Sequence, residues 1–154
     1  TSGTWYIAVV PYSGYNNNAN YKLYVGDAWK NGATGWMPTN LTFNFTPSNV
    51  GTVLPYQIFD LRNNASIPNT AVVKSIQIDS AGAGNWGNQV KYIYGAQTGK
   101  WYETFIALNY VLNIPQKTLL VKQQWPITTR IESLPTTIAY WKPNIYFTYE
   151  YVIE

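Results

Sequence analysis

The sequence predicts an all-β fold: a two-sheet sandwich, jelly-roll-like, with about 8–10 short strands and at most one short helix, over 101–112. Three observations carry this. β-branched and aromatic residues gather in short runs, and clusters of Gly, Pro and Asn separate those runs. Within several runs polarity alternates with period two, as a half-buried strand requires. At 154 residues the chain is read as a single β-sandwich domain, 1–154.

Taken in order, the first strand is 4–10, where Trp5, Ile7 and Val9 share a face. Pro11 to Asn20 is a turn-rich loop, and 21–25 is the second strand. Gly26, Gly32 and Gly35 predict a second loop running to Pro38, and it carries Trp29 and Trp36. Strands follow at 40–46 and 52–60, then turns at Asn63-Asn64 and Pro68-Asn69. In the strand 71–79, Val73, Ser75, Gln77 and Asp79 oppose Val72, Lys74, Ile76 and Ile78. A glycine-rich loop ending at Gly87 leads into the strand 88–95.

The run 101–112 departs from the pattern. Trp101, Phe105, Leu108 and Leu112 fall at i, i+4, i+7 and i+11, with Asn113 and Pro115 as a stop, which predicts a helix. A strand reading of the same residues stays open. The remaining strands are 117–124, 126–132, 136–141 and 145–153. In the last, Ile145, Phe147, Tyr149 and Tyr151 share one face, and aromatics occupy both, so a central or partner-covered strand is expected.

Composition removes several classes of chemistry. There is no Cys and no His, which excludes disulfide scaffolds, thiol and imidazole catalysis, and ordinary zinc or copper sites. The acids Asp27, Asp60, Asp79, Glu103, Glu132, Glu150 and Glu154 are dispersed, without the spacing of a calcium loop or a recognisable catalytic pair. No enzyme activity, cofactor or metal is expected. Gly82-Ala83-Gly84-Asn85-Trp86-Gly87 spells the dinucleotide fingerprint, but a strand-like run follows it where the fingerprint needs a helix. The ten basic residues come singly and leave a net charge of +3, so no clear nucleic-acid patch is predicted. No run reaches the roughly 18 apolar residues of a transmembrane helix.

What remains is a chain with 17% aromatic and only 11% charged residues. Interface cores are depleted in Lys, Glu and Asp and enriched in aromatics, so this composition fits a body covered by copies of itself. The expected function is a non-catalytic structural subunit that self-assembles into a homo-oligomer or polymer. Size, strand count and the single expected helix resemble a single jelly-roll capsid or virion protein. The variant is an extracellular, pilus-like filament subunit, in which Trp5, Ile7 and Val9, or Ile145, Phe147, Tyr149 and Tyr151, complete a neighbour's sheet. The alternative is a lectin-like glycan-binding module that stacks sugars on Trp29, Trp36 and Trp86. Sequons at Asn40, Asn44 and Asn64 are candidate N-glycosylation sites and point toward a virion or extracellular surface.

Overall fold

The computed structural model describes residues 29–80, 88–104, 111–115, 117–134 and 139–153. The expected strands at 4–10 and 21–25, with Trp5, Ile7 and Val9, lie outside them. The described strands are β1 (Lys30–Pro38), β2 (Phe43–Phe45), β3 (Gln57–Asp60), β4 (Val72–Ser80), β5 (Asn88–Gly95), β6 (Lys100–Thr104), β7 (Val111–Asn113), β8 (Gln124–Ser133), β9 (Ala139–Trp141) and β10 (Pro143–Tyr151). One turn of 3-10 helix spans Pro47–Asn49.

All strand pairs are antiparallel, and they are nested. β5 pairs with β6, β4 with β7, β3 with β8, β2 with β9 and β1 with β10, so the described strands form one long hairpin with its tip at 95–99. Two lateral seams, β10 to β4 and β5 to β8, gather these pairs into sheets. One sheet has the order β1-β10-β4-β7, the second β3-β8-β5-β6, and β2-β9 forms a separate short ribbon.

The two larger sheets pack through one apolar core. Ile76 and Ile78 of β4 and Ile145 and Phe147 of β10 meet Ile93 of β5 and Trp125, Ile127 and Ile131 of β8, all fully buried. The Trp125 and Phe147 rings touch across the sheets with centroids 5.0 Å apart. Both deeply buried indoles are satisfied: Trp125 Nε1 donates to the Val121 carbonyl and Trp141 Nε1 to that of Asp79. Phe43 stacks on Trp141 at 5.4 Å, which anchors the β2-β9 ribbon to the core.

The expected central position of the last strand holds, since β10 lies between β1 and β4. Ile145, Phe147 and Tyr149 are buried and Tyr151 is half-buried on its inner face. Both edges of β10 are used inside the chain, so these residues have no free ladder to offer a neighbour, and the strand-addition role expected of them is corrected. The helix expected over 101–112 is corrected at both described ends, which are β6 and β7. A tight turn with Gly99 at φ 64° returns the chain onto β5, where Trp101 faces Tyr94 and Tyr102 faces Ile93. This hairpin pairing overrides the helical stripe.

The alternation read in 71–79 is also corrected. Ser75 pairs with Thr148 but Val73 pairs with Tyr149, so Lys74 is an extra residue, a β-bulge. The bulge shifts parity and brings Val73 onto the same buried face as Ile76 and Ile78. The run 117–124 contributes only an isolated bridge, Leu120 to Val72, before β8 starts. In the other direction, the segment 30–38 read as a loop is the strand β1.

Lys91 of β5 is buried in this core. Its Nζ donates to the Ile78 carbonyl at 3.3 Å and lies 5.8 Å from the Trp141 ring centroid. Burial pushes its pKa below the ordinary lysine value of 10.5, with the Asp79 charge opposing the shift. The native state therefore holds fewer protons than the unfolded chain just below the ordinary lysine range, and stability rises with pH there. Burial raises the Tyr149 pKa, which acts in the opposite sense at higher pH and bounds the window from above. The urea midpoint is expected to rise with pH on the alkaline side, up to the ordinary lysine range, and Lys91→Met is expected to flatten that rise. A slope unchanged in the variant would assign the effect to another group.

Candidate functional site

Among the described residues, the exposed indoles Trp36 and Trp101 lie on strands, and Trp29 directly precedes one. Trp36 sits in β1, and a bulge aims it. Ala33 pairs with Thr148 and Trp36 with Tyr146, so Thr34 and Gly35 together oppose Phe147. Gly35 takes φ 71°, a left-handed conformation that glycine adopts without strain. Thr34 Oγ1 fills the gap in the ladder by accepting the Phe147 N–H at 3.0 Å. With regular pairing Trp36 would oppose Ile145 and face the core. The extra residue turns it outward, where it is 43% exposed and its ring lies 5.6 Å from that of Tyr146.

Beside Trp36 the edge strands β1 and β3 flank an open groove of about 660 Å³. Phe59 lines it, and Asp60, Asn63 and Asn64 bring polar groups to it. The Asp60 carboxylate is held from two sides: Arg62 Nη2 reaches Oδ2 at 2.6 Å and Gln124 Nε2 reaches the same oxygen at 3.2 Å. The Arg62 side chain, then its backbone N–H, hold the Asp60 pKa well below the usual carboxylate range, so the group stays ionised in mild acid. Asn64 Oδ1 accepts the Ser66 N–H at 2.9 Å, which fixes its amide plane.

The structure does not bring Trp29 and Trp36 together. Trp29 precedes β1 at the end away from Trp36, and the Lys117 ammonium covers one face of its ring at 4.6 Å. Lys117 and Lys74 both pair with Glu150, whose pKa is lowered chiefly by the Lys117 contact. Trp86 lies outside the described residues. Of the sequon asparagines, Asn40 is exposed with φ 61°, Asn44 is exposed in β2, and Asn64 is half-buried in the groove wall.

A second feature was not anticipated. On the outer face of the β3-β8-β5-β6 sheet, Tyr56, Tyr94 and Trp101 form a ring cluster, with Trp101 centred 5.3 Å from Tyr94 and 6.3 Å from Tyr56. Tyr56 is 60% exposed, Trp101 45%, and Ile58 beside them 39%. The signal for it in the sequence is the Tyr92/Tyr94 alternation in 88–95, which Lys91 disguises by being the residue that faces inward.

Ion pairs hold three of the five described acids. Asp60 pairs with Arg62, Glu132 with Arg130, and Glu150 with Lys74 and Lys117. Among the described residues no cluster of acids could hold a metal ion, and no helix is long and apolar enough to cross a membrane. No family model matches this chain, and no curated protein or solved structure matches it.

The bulge that aims Trp36 depends on Gly35. Gly35→Ala is expected to destabilise the fold by about 1–2 kcal/mol, the cost of a left-handed alanine. Urea unfolding measures this, and an unchanged midpoint would show that the bulge tolerates a Cβ.

Proposed function

We propose that this chain is a non-catalytic structural subunit that self-assembles, a single jelly-roll shell protein working at a virion or extracellular surface. The observation that carries the reading is the exposed Tyr56–Trp101–Tyr94 cluster, with Ile58, on one sheet face. A contiguous apolar patch of this kind marks a contact surface. Tyr and Trp are the residues that supply binding energy at such surfaces, because each buries a large rigid area for little lost rotamer freedom.

Two further features support the reading. The nested pairing and the strand orders β1-β10-β4-β7 and β3-β8-β5-β6 support a reading as a long hairpin rolled into two sheets, which is how a jelly roll is connected. The paucity of charge, 11% of residues, suits a body whose faces are covered by copies of the same chain. With β10 enclosed, assembly through sheet faces is favoured over strand addition by that segment.

The chain is expected to sediment as an oligomer or polymer at micromolar concentration, with regular particles in negative-stain electron microscopy. Trp101→Ala and Tyr56→Ser are expected to weaken self-association at least about tenfold, or roughly 1.4 kcal/mol per contact. A wild-type chain that stays monomeric at every concentration, or an assembly indifferent to both substitutions, would overturn the proposal.

A further inference from the structure

We infer that the groove between β1 and β3 is a carbohydrate site for a neutral pyranose, which stacks on Trp36 while Asn63 and Asn64 bind its hydroxyls. The argument starts from Trp36. An indole with this exposure is not a plug for the core, and the Thr34–Gly35 bulge exists at the cost of a regular ladder and turns that ring to solvent. The face of a pyranose that carries axial C–H bonds is apolar and slightly positive, and it complements the negative face of an indole.

The polar groups have matching chemistry. Hydroxyls both donate and accept, and they are recognised by planar amides and carboxylates that present both functions at fixed angles. Asp60 is engaged at both oxygens by Arg62 and Gln124, so it fixes the groove wall and leaves the hydroxyl contacts to the two amides. Asn64 uses Oδ1 on the Ser66 N–H, which orients its NH₂ as a donor. Asn63 is exposed and makes no side-chain hydrogen bond among the described residues. Groups held in place before binding lose little freedom when it occurs. The volume of about 660 Å³ lies within the roughly 300–1,000 Å³ of small-molecule sites.

The charge of the groove selects among sugars. Asp60 stays ionised, and no lysine or arginine lines the groove. Arg62, the cation beside Asp60, is already committed to that carboxylate at 2.6 Å, so an acidic sugar would find no uncommitted cation here and neutral pyranoses are favoured over sialic or uronic acids.

The test uses the whole chain with methyl glycosides of glucose, galactose, mannose and N-acetylglucosamine, and with N-acetylneuraminic acid for comparison. Saturation-transfer NMR and tryptophan fluorescence read binding up to about 50 mM, the range where a single weak sugar contact is detectable. At least one neutral glycoside is expected to bind. Trp36→Ala and Asn63→Ala are each expected to weaken it at least about tenfold, and Trp101→Ala to leave it unchanged. Asn63→Ala removes an exposed, unbonded side chain, so it keeps the test readable if Trp36→Ala perturbs the fold. No neutral glycoside binding, binding that survives both groove substitutions, or tighter binding of the acidic sugar overturns the inference. So does a Trp36→Ala chain that loses self-association while the wild type binds no sugar, since the groove then belongs to a contact between copies. The Trp101 variant reports on assembly alone, so the two proposals fail separately.

Discussion

Inside-outside parity along β10 is the constraint on which the rest of this molecule depends. A strand sends successive side chains to opposite faces, so one change of register moves every later residue from core to surface. β10 has neighbours on both sides and spans its whole sheet, and its inner residues Ile145 and Phe147 meet Trp125 of the other sheet. Two bulges adjust its neighbours to it. Lys74 in β4 allows Val73 and Ile76 to share the interior, and Thr34–Gly35 in β1 sends Trp36 outward. Each bulge sits beside polar groups that satisfy what the ladder loses. Phe147 N–H finds Thr34 Oγ1, and the Lys74 carbonyl accepts the Ile114 N–H at 2.7 Å.

The interior also holds polar residues, and their placement shapes the surface. β5 buries Gln89 and Lys91 alongside Ile93, and Thr129 of β8 donates to Gln89 Oε1 at 2.8 Å. With that parity fixed, Tyr94 must face outward, where it meets Trp101 from β6 and, through it, Tyr56. The exposed ring cluster and the buried lysine are thus two sides of one register.

Much of the fold was legible in the residues themselves. The strand 88–95 matches β5 in full, and 71–79, 126–132 and 145–153 match β4, β8 and β10 to within a few residues. These runs are long, rich in β-branched and aromatic residues, and bounded by turn chemistry. Segments whose state depends on a partner were misread. The Gly-rich stretch 30–38 looks like a loop because glycines weaken a strand, yet β10 holds it as one; a Cβ at Gly32 would fall on the Tyr149 ring. The 101–112 run has a helical stripe that pairing with β5 overrides at its described start. At the site, Trp36 was visible as a candidate, but Asp60, Asn63 and Asn64 were not visible as its companions. They come from the β3 edge and the turn after it, and only folding brings them to β1.

By itself the sequence determined the class of the molecule: all-β, without thiol or imidazole chemistry, poor in charge and rich in rings. Those properties follow from composition and from period-two patterning, which are local. Tertiary structure decided which rings are buried and which are presented, which strand is enclosed, and which polar groups surround Trp36. These outcomes turn on register and bulges, and both are settled only when a strand meets a partner that lies far away in the chain.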